Sequence, residues 1–142
     1  MVTPFALARS AIVLPTTFAA ATFPVGESCI TLVNGGWGGF VTGLSSLNGM
    51  DASENETTRT IKYENNTWYR FRVRVTGEVI RCWLDDKEIV AVEHREKHVR
   101  TRVEVRASEP LGFATWKTGG ALRKIEIRPL SPDEIAATNK IE

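Results

Sequence analysis

The sequence predicts an all-β fold, a sandwich or barrel of about ten short antiparallel strands, and three observations carry that prediction. Apolar and polar residues alternate with a period of two in several separate stretches, as in strands with one buried and one wet face. Turn residues separate these stretches at regular short spacing, and no internal repeat is visible. A single helical signal stands at the C-terminal end.

Residues 1–16 read as an atypical N-terminal segment ahead of a domain spanning 17–130, with 131–142 as a tail. In the segment, Arg9 precedes a weakly apolar stretch, and Ala19, Ala20 and Ala21 resemble a small-residue cleavage site. Pro4 and Pro15 interrupt the apolar run. Strands are expected at 17–23 and 28–33, separated by Pro24, Val25 and Gly26. Next comes NGGWGGF, where four glycines around Trp37 let the backbone turn sharply and leave the indole uncrowded. A strand at 40–44, a polar loop at 45–55 and a strand at 57–63 follow.

The strongest pattern is TWYRFRVRVTGEVIRCWLDDKEIVAV, residues 67–92, which reads as a three-stranded meander. Tyr69, Phe71, Val73 and Val75 alternate with Arg70, Arg72 and Arg74. Gly77 is expected to supply a positive φ for the first turn, and Asp85 and Asp86 form the second. On the middle strand Ile80, Cys82 and Leu84 share one face, while Arg81 and Trp83 share the other. A charged connection at 94–101 leads to a strand at 102–106 with Val103 and Val105 inward. Glu109 and Pro110 stop it, and 111–116 with 121–128 read as a final hairpin across 117–120. Ser131, Pro132 and Glu134 then set a capping box and a first-turn proline for a short helical turn with little to bury.

Size and composition bound the function. The chain has 142 residues, 42% hydrophobic and 25% charged, which is one ordinary globular domain. A net charge of +1 gives no argument for nucleic acid, and no apolar run reaches the roughly 18 residues of a membrane span. Cys29 and Cys82 are too few for a disulfide framework; two buried thiols are expected, with a single bridge as the alternative.

Six stretches then carry a family resemblance: FPVGESC (23–29), TLVNGGWGG (31–39), GLSSLNGMDASENET (43–57), NTWYRFRVRV (66–75), IRCWLDDKEIV (80–90) and LGFATWKTGGALRKIEIRPL (111–130). Over about residues 17–130 the chain resembles a concanavalin A-like jelly roll, and more closely the bacterial 3-keto-disaccharide hydrolase-like family, formerly a domain of unknown function. That resemblance implies a jelly-roll β-sandwich and an extracellular or periplasmic setting within exported proteins. Such families carry further strands ahead of this region, where MVTPFALARSAIVLP does not match. The departure leaves two expectations, a fragment or misannotated start, or an exposed sheet edge closed by pairing with another chain.

Carbohydrate recognition needs aromatic faces for sugar C–H surfaces and planar polar groups for hydroxyls. Trp37, Trp83 and Trp116, with Arg81 beside Trp83, are the candidate carbohydrate-binding residues, and Trp68 is a weaker one. The competing role for each indole is packing. Asp51, Glu54 and Glu56 gather with Asn55 in one loop, where paired carboxylates suit acid-base cleavage of a glycoside. The same oxygens suit calcium, the one cofactor with a foothold here, while a solvated loop is the plainer account. Arg70, Arg72, Arg74 and Arg81 suit anionic sugars or simply a wet sheet face. His94 and His98 lack a third metal ligand at suitable spacing, and no nucleophile elbow, phosphate loop or zinc motif occurs. The resulting expectation is a carbohydrate-binding, lectin-like module of an exported bacterial protein. Its rivals are a glycoside or 3-keto-disaccharide hydrolase using the loop carboxylates, and a structural sandwich for protein contacts.

Overall fold

The computed structural model describes residues 5–12 and 19–142. Ten strands occur among them: β1 (Phe5–Ile12), β2 (Ala19–Val25), β3 (Ser28–Gly35), β4 (Val41–Ser45), β5 (Arg59–Thr60), β6 (Tyr69–Val75), β7 (Val79–Leu84), β8 (Lys87–Glu93), β9 (Gly112–Thr115) and β10 (Glu126–Pro129). They pair antiparallel into two five-stranded sheets, ordered β10-β1-β6-β7-β8 and β5-β4-β3-β2-β9. Phe71, Val73, Val75, Ile80, Cys82 and Val90 of the first sheet meet Phe23, Ile30, Leu32 and Leu44 of the second in one core. The result is a two-layer β-sandwich, one of the two forms that the alternation allowed, and it has the jelly-roll class that the resemblance implied. Fully burying each such side chain contributes about 1.5–3 kcal/mol, so this interface is the main source of stability.

The meander follows its pattern closely. Phe71 pairs with Leu84, Val73 with Cys82 and Val75 with Ile80, which puts these three apolar pairs on the core face. At the second turn Asp85 (φ 47°) and Asp86 (φ 68°) both take left-handed backbone, and the Asp85 carboxylate accepts from the Arg70 amide at 2.8 Å. The first turn works differently from the expectation, because Gly77 is not left-handed. The Thr76 hydroxyl closes it instead, accepting from the amides of Glu78 at 3.2 Å and Val79 at 3.0 Å.

Five other expectations change. Residues 5–12, placed outside the domain by sequence, form β1, which lies between β6 and β10 and so covers an edge of β6 with this chain's own backbone. The expected strand at 57–63 pairs only over Arg59–Thr60, after which the chain dips so that Tyr63 is buried against Tyr69 and Phe71. The Tyr63 hydroxyl meets that of Thr42 at 2.8 Å, and burial pushes its pKa up. The supposed final hairpin is not one: β9 joins β2 in one sheet and β10 joins β1 in the other.

The fourth change is at 102–106, where a 3₁₀ segment, Val103–Ser108, replaces the strand. Val105 is buried but Val103 is exposed, so only one of the two valines points inward. The segment packs on β2 and β9. Registry puts Ala20, Thr22, Thr31, Val33, Gly43 and Ala114 on that outer face of the second sheet. Small side chains there let backbone approach. A Cβ at Gly112 would lie 2.7 Å from the Ser108 carbonyl oxygen, so this contact requires glycine.

The C-terminal helix, Pro132–Asn139, has the expected capping box between Ser131 and Glu134. It is docked rather than a loose tail, with Thr138 buried. Arg81 Nε donates to the Thr138 carbonyl at 2.8 Å, and Arg74 pairs with Glu134 at 3.4 Å.

Candidate functional site

An open cleft of about 480 Å³ lies where β3 and β9 end at the outer face of the second sheet, beside the 3₁₀ segment. One wall is the Gly-Trp turn, Gly36–Gly39. Gly35 (φ 69°), Trp37 (φ 49°), Gly38 (φ 89°) and Gly39 (φ 102°) all have positive φ, which reverses the chain within a few residues and leaves the Trp37 indole about half exposed. The facing wall is Ala114, Thr115, Trp116 and Lys117, where β9 leaves the sheet, with Trp116 63% exposed. Arg102, Glu104 and Val105 complete the lining.

Arg102 organises the charge. Its guanidinium sits 5.0 Å from the Trp37 ring centre. Nη1 reaches Asp51 Oδ1 at 3.0 Å and Nη2 reaches Glu104 Oε1 at 2.9 Å. Asp51 Oδ1 also accepts from Ser45 Oγ at 2.8 Å, which ties the carboxylate to β4. The Arg102 side chain is largely shielded from water, which strengthens both ion pairs and the ring contact relative to surface examples.

Of the residues named from sequence, Trp37 and Trp116 come together here, and Asp51 stands behind them through Arg102. Glu54 and Glu56 are exposed and do not line the cleft; Glu56 pairs with Lys97 at 2.6 Å. Trp83 and Arg81 lie on the outer face of the other sheet. Trp83 is covered by Arg72 at 4.3 Å and Arg74 at 5.6 Å, so the arginine row is used largely in packing. Arg81 pairs with Glu88 at 2.7 Å and also donates to the Lys140 carbonyl, holding the C-terminal helix. Trp68 lies under Arg123 at 4.0 Å. His94 is buried with Nε2 3.0 Å from the Thr76 carbonyl oxygen, and His98 is exposed.

Sequence reasoning missed Arg102, Glu104 and Lys117. Alternation assigned the first two to the wet face of a strand and the third to a hairpin turn, and no local signal marks them otherwise. Both cysteines are free and buried. Among the described residues no group of three or more His, Cys, Asp or Glu side chains is set to hold a metal ion. No helix among them is long and apolar enough to cross a membrane.

The sandwich is a carbohydrate-related one. A family model described as the 3-keto-alpha-glucoside-1,2-lyase-like domain matches residues 22–128, and the chain belongs to that family. Among solved structures, the crystal structure of the alginate lyase from Corynebacterium sp. is similar over 84% of this chain and 58% of that one, at 13% identity and a TM-score of 0.44. The chain therefore spans less than two thirds of that lyase. No curated protein matches the chain.

Proposed function

We propose that the chain recognises carbohydrate and that the sugar lies in the cleft between Trp37 and Trp116. The observation that carries this is the meeting of two exposed indoles with Arg102, Glu104 and Lys117 around one open cleft. Indole faces suit the C–H surface of a pyranose, and the charged groups suit its hydroxyls. The volume falls within the roughly 300–1,000 Å³ of small-molecule pockets. Family membership supports α-glucosides as the ligand class, and the setting that goes with it is outside the cytoplasm.

A glycan-array screen followed by calorimetric titration tests this. Trp37→Ala and Trp116→Ala are each expected to weaken binding at least about tenfold, or about 1.4 kcal/mol, with melting temperature preserved. Unchanged affinity in both variants would sink the assignment.

The family and Glu104 together favour a second reading, elimination from a 3-keto-glucoside. A base takes the C2 proton, which the neighbouring ketone acidifies; the electron pair forms C1=C2 as the C1–O bond breaks, and the leaving oxygen takes up a proton. Glu104 is the carboxylate placed to act as base. Turnover of a 3-keto-glucoside that Glu104→Gln abolishes, with binding retained, would favour this reading over recognition alone.

A further inference from the structure

We propose that Asp51 is the positioning residue of this cleft: through Arg102 it fixes the Trp37 indole, and by balancing the guanidinium charge it makes the cleft select an uncharged sugar over a uronate. The assignment rests on the cleft's being the sugar site.

The support is a continuous relay from sheet to indole. Ser45, fully buried at the end of β4, donates to Asp51 Oδ1 at 2.8 Å. The same oxygen meets Arg102 Nη1 at 3.0 Å, and Arg102 covers the Trp37 ring at 5.0 Å. The loop carrying Asp51 is itself held. Asn55 Nδ2 donates to the carbonyls of Leu44 at 2.8 Å and Asp51 at 2.8 Å, and Asn55 Oδ1 accepts from the Thr57 amide at 2.9 Å. The DASENET stretch, read from sequence as a source of acid and base or as a wet loop, is thus a bracket that delivers one carboxylate to one arginine. Trp37 needs such a hold, because its neighbours in the turn are glycines that bring no side chain against the ring.

The charges decide the ligand. Arg102 and Lys117 are opposed by Asp51 and Glu104, so among the described residues the charges of the cleft and its backing residue sum to zero. A neutral pyranose meets matched donors and acceptors, whereas a uronate finds its arginine already paired and a carboxylate close by.

The test uses the full chain labelled with ¹⁵N, with the Trp37 indole resonance assigned by its loss in Trp37→Phe. Maltose and methyl α-glucuronide serve as probes. In Asp51→Asn the Trp37 indole signal is expected to shift or broaden while those of Trp68 and Trp83 stay in place. Maltose affinity should fall about tenfold, and the ratio of maltose to glucuronide affinity should fall by at least that factor. Arg102→Gln, which breaks the same pair from its other side, should move the same Trp37 signal and keeps the idea testable should Asp51→Asn misfold. A Trp37 signal and an affinity ratio unchanged in Asp51→Asn, with maltose binding lost in Trp37→Ala, would overturn the role of Asp51 and leave the cleft standing. Maltose binding unchanged in Trp37→Ala would overturn the cleft and this inference with it. Tighter binding of the glucuronide than of maltose by the unaltered chain would overturn the selection.

Discussion

Replacing Gly112 by alanine tests how the outer face of the second sheet is covered. An added Cβ would lie 2.7 Å from the Ser108 carbonyl oxygen, 2.9 Å from its Cβ and 3.0 Å from its Cα. Two of these three are backbone atoms, so relief requires moving the 3₁₀ segment rather than rotating a side chain. Overpacking of this kind costs about 1–3 kcal/mol. With an unfolding entropy of about 2.1 cal/mol/K per residue, a 142-residue chain loses about 3–10 °C in melting temperature. Gly119→Ala is the matched control, because nothing lies within 4 Å of its Cβ position and its φ is not positive; its effect should stay within about 0.5 kcal/mol. Thermal unfolding followed by circular dichroism reads both variants. The segment that must move also carries Glu104 and Val105 of the cleft lining, so sugar affinity should fall in Gly112→Ala as well. Equal melting temperatures for the two variants would refute the close approach and the covering role of the 3₁₀ segment.

Two further outcomes concern the C-terminal helix and the thiols. The Glu134 carboxyl is held well below the usual carboxylate range, first by hydrogen bonds from Arg128, then by the Ser131 amide, and also by the charge of Arg74. A folded pKa below the unfolded value of about 4.3 means that this stabilisation is complete above that value and is lost as pH falls toward the lower folded pKa. Amide protection factors in the helix, taken against the intrinsic exchange rate at each pH, should therefore fall on acidification from about pH 5 toward pH 2, and Glu134→Gln should show a flatter dependence. Burial raises the pKa of Cys82 and of Cys29, and the charges of Glu88 and Glu109 respectively push in the same direction. The folded chain should react slowly with a disulfide reagent at neutral pH and release both thiols in urea; one fast equivalent from the folded chain would contradict the burial.

Where a structural decision is local, it was legible in the sequence. The Phe71, Val73 and Val75 alternation, the Asp85-Asp86 turn and the Ser131–Glu134 capping box each depend on residues within a few positions of one another. The same holds for the Gly-Trp turn, which composition alone marked as a sharp reversal. Gly77 shows the limit even at short range, since a threonine hydroxyl closed a turn that glycine was expected to close.

The cleft required contacts far apart in the chain. Asp51 and Arg102 meet across fifty-one positions, and Trp37 and Trp116 share a cleft only because β9 joins the sheet that contains β3. A period of two says which residues share a face, but it does not say which sheet a strand joins or what covers that sheet. Residues 5–12 became a strand because β6 and β10 were there to pair with them, and 103–108 became a 3₁₀ segment because small residues left room for backbone on the outer face. An all-β chain, its meander and its aromatic turn were written in the order of the residues, since these follow from local sterics and alternation. Tertiary structure alone decided that Trp83 and Arg81 would serve packing and helix docking, and that Asp51 and Arg102 would stand behind Trp37, because only long-range strand pairing sets those distances.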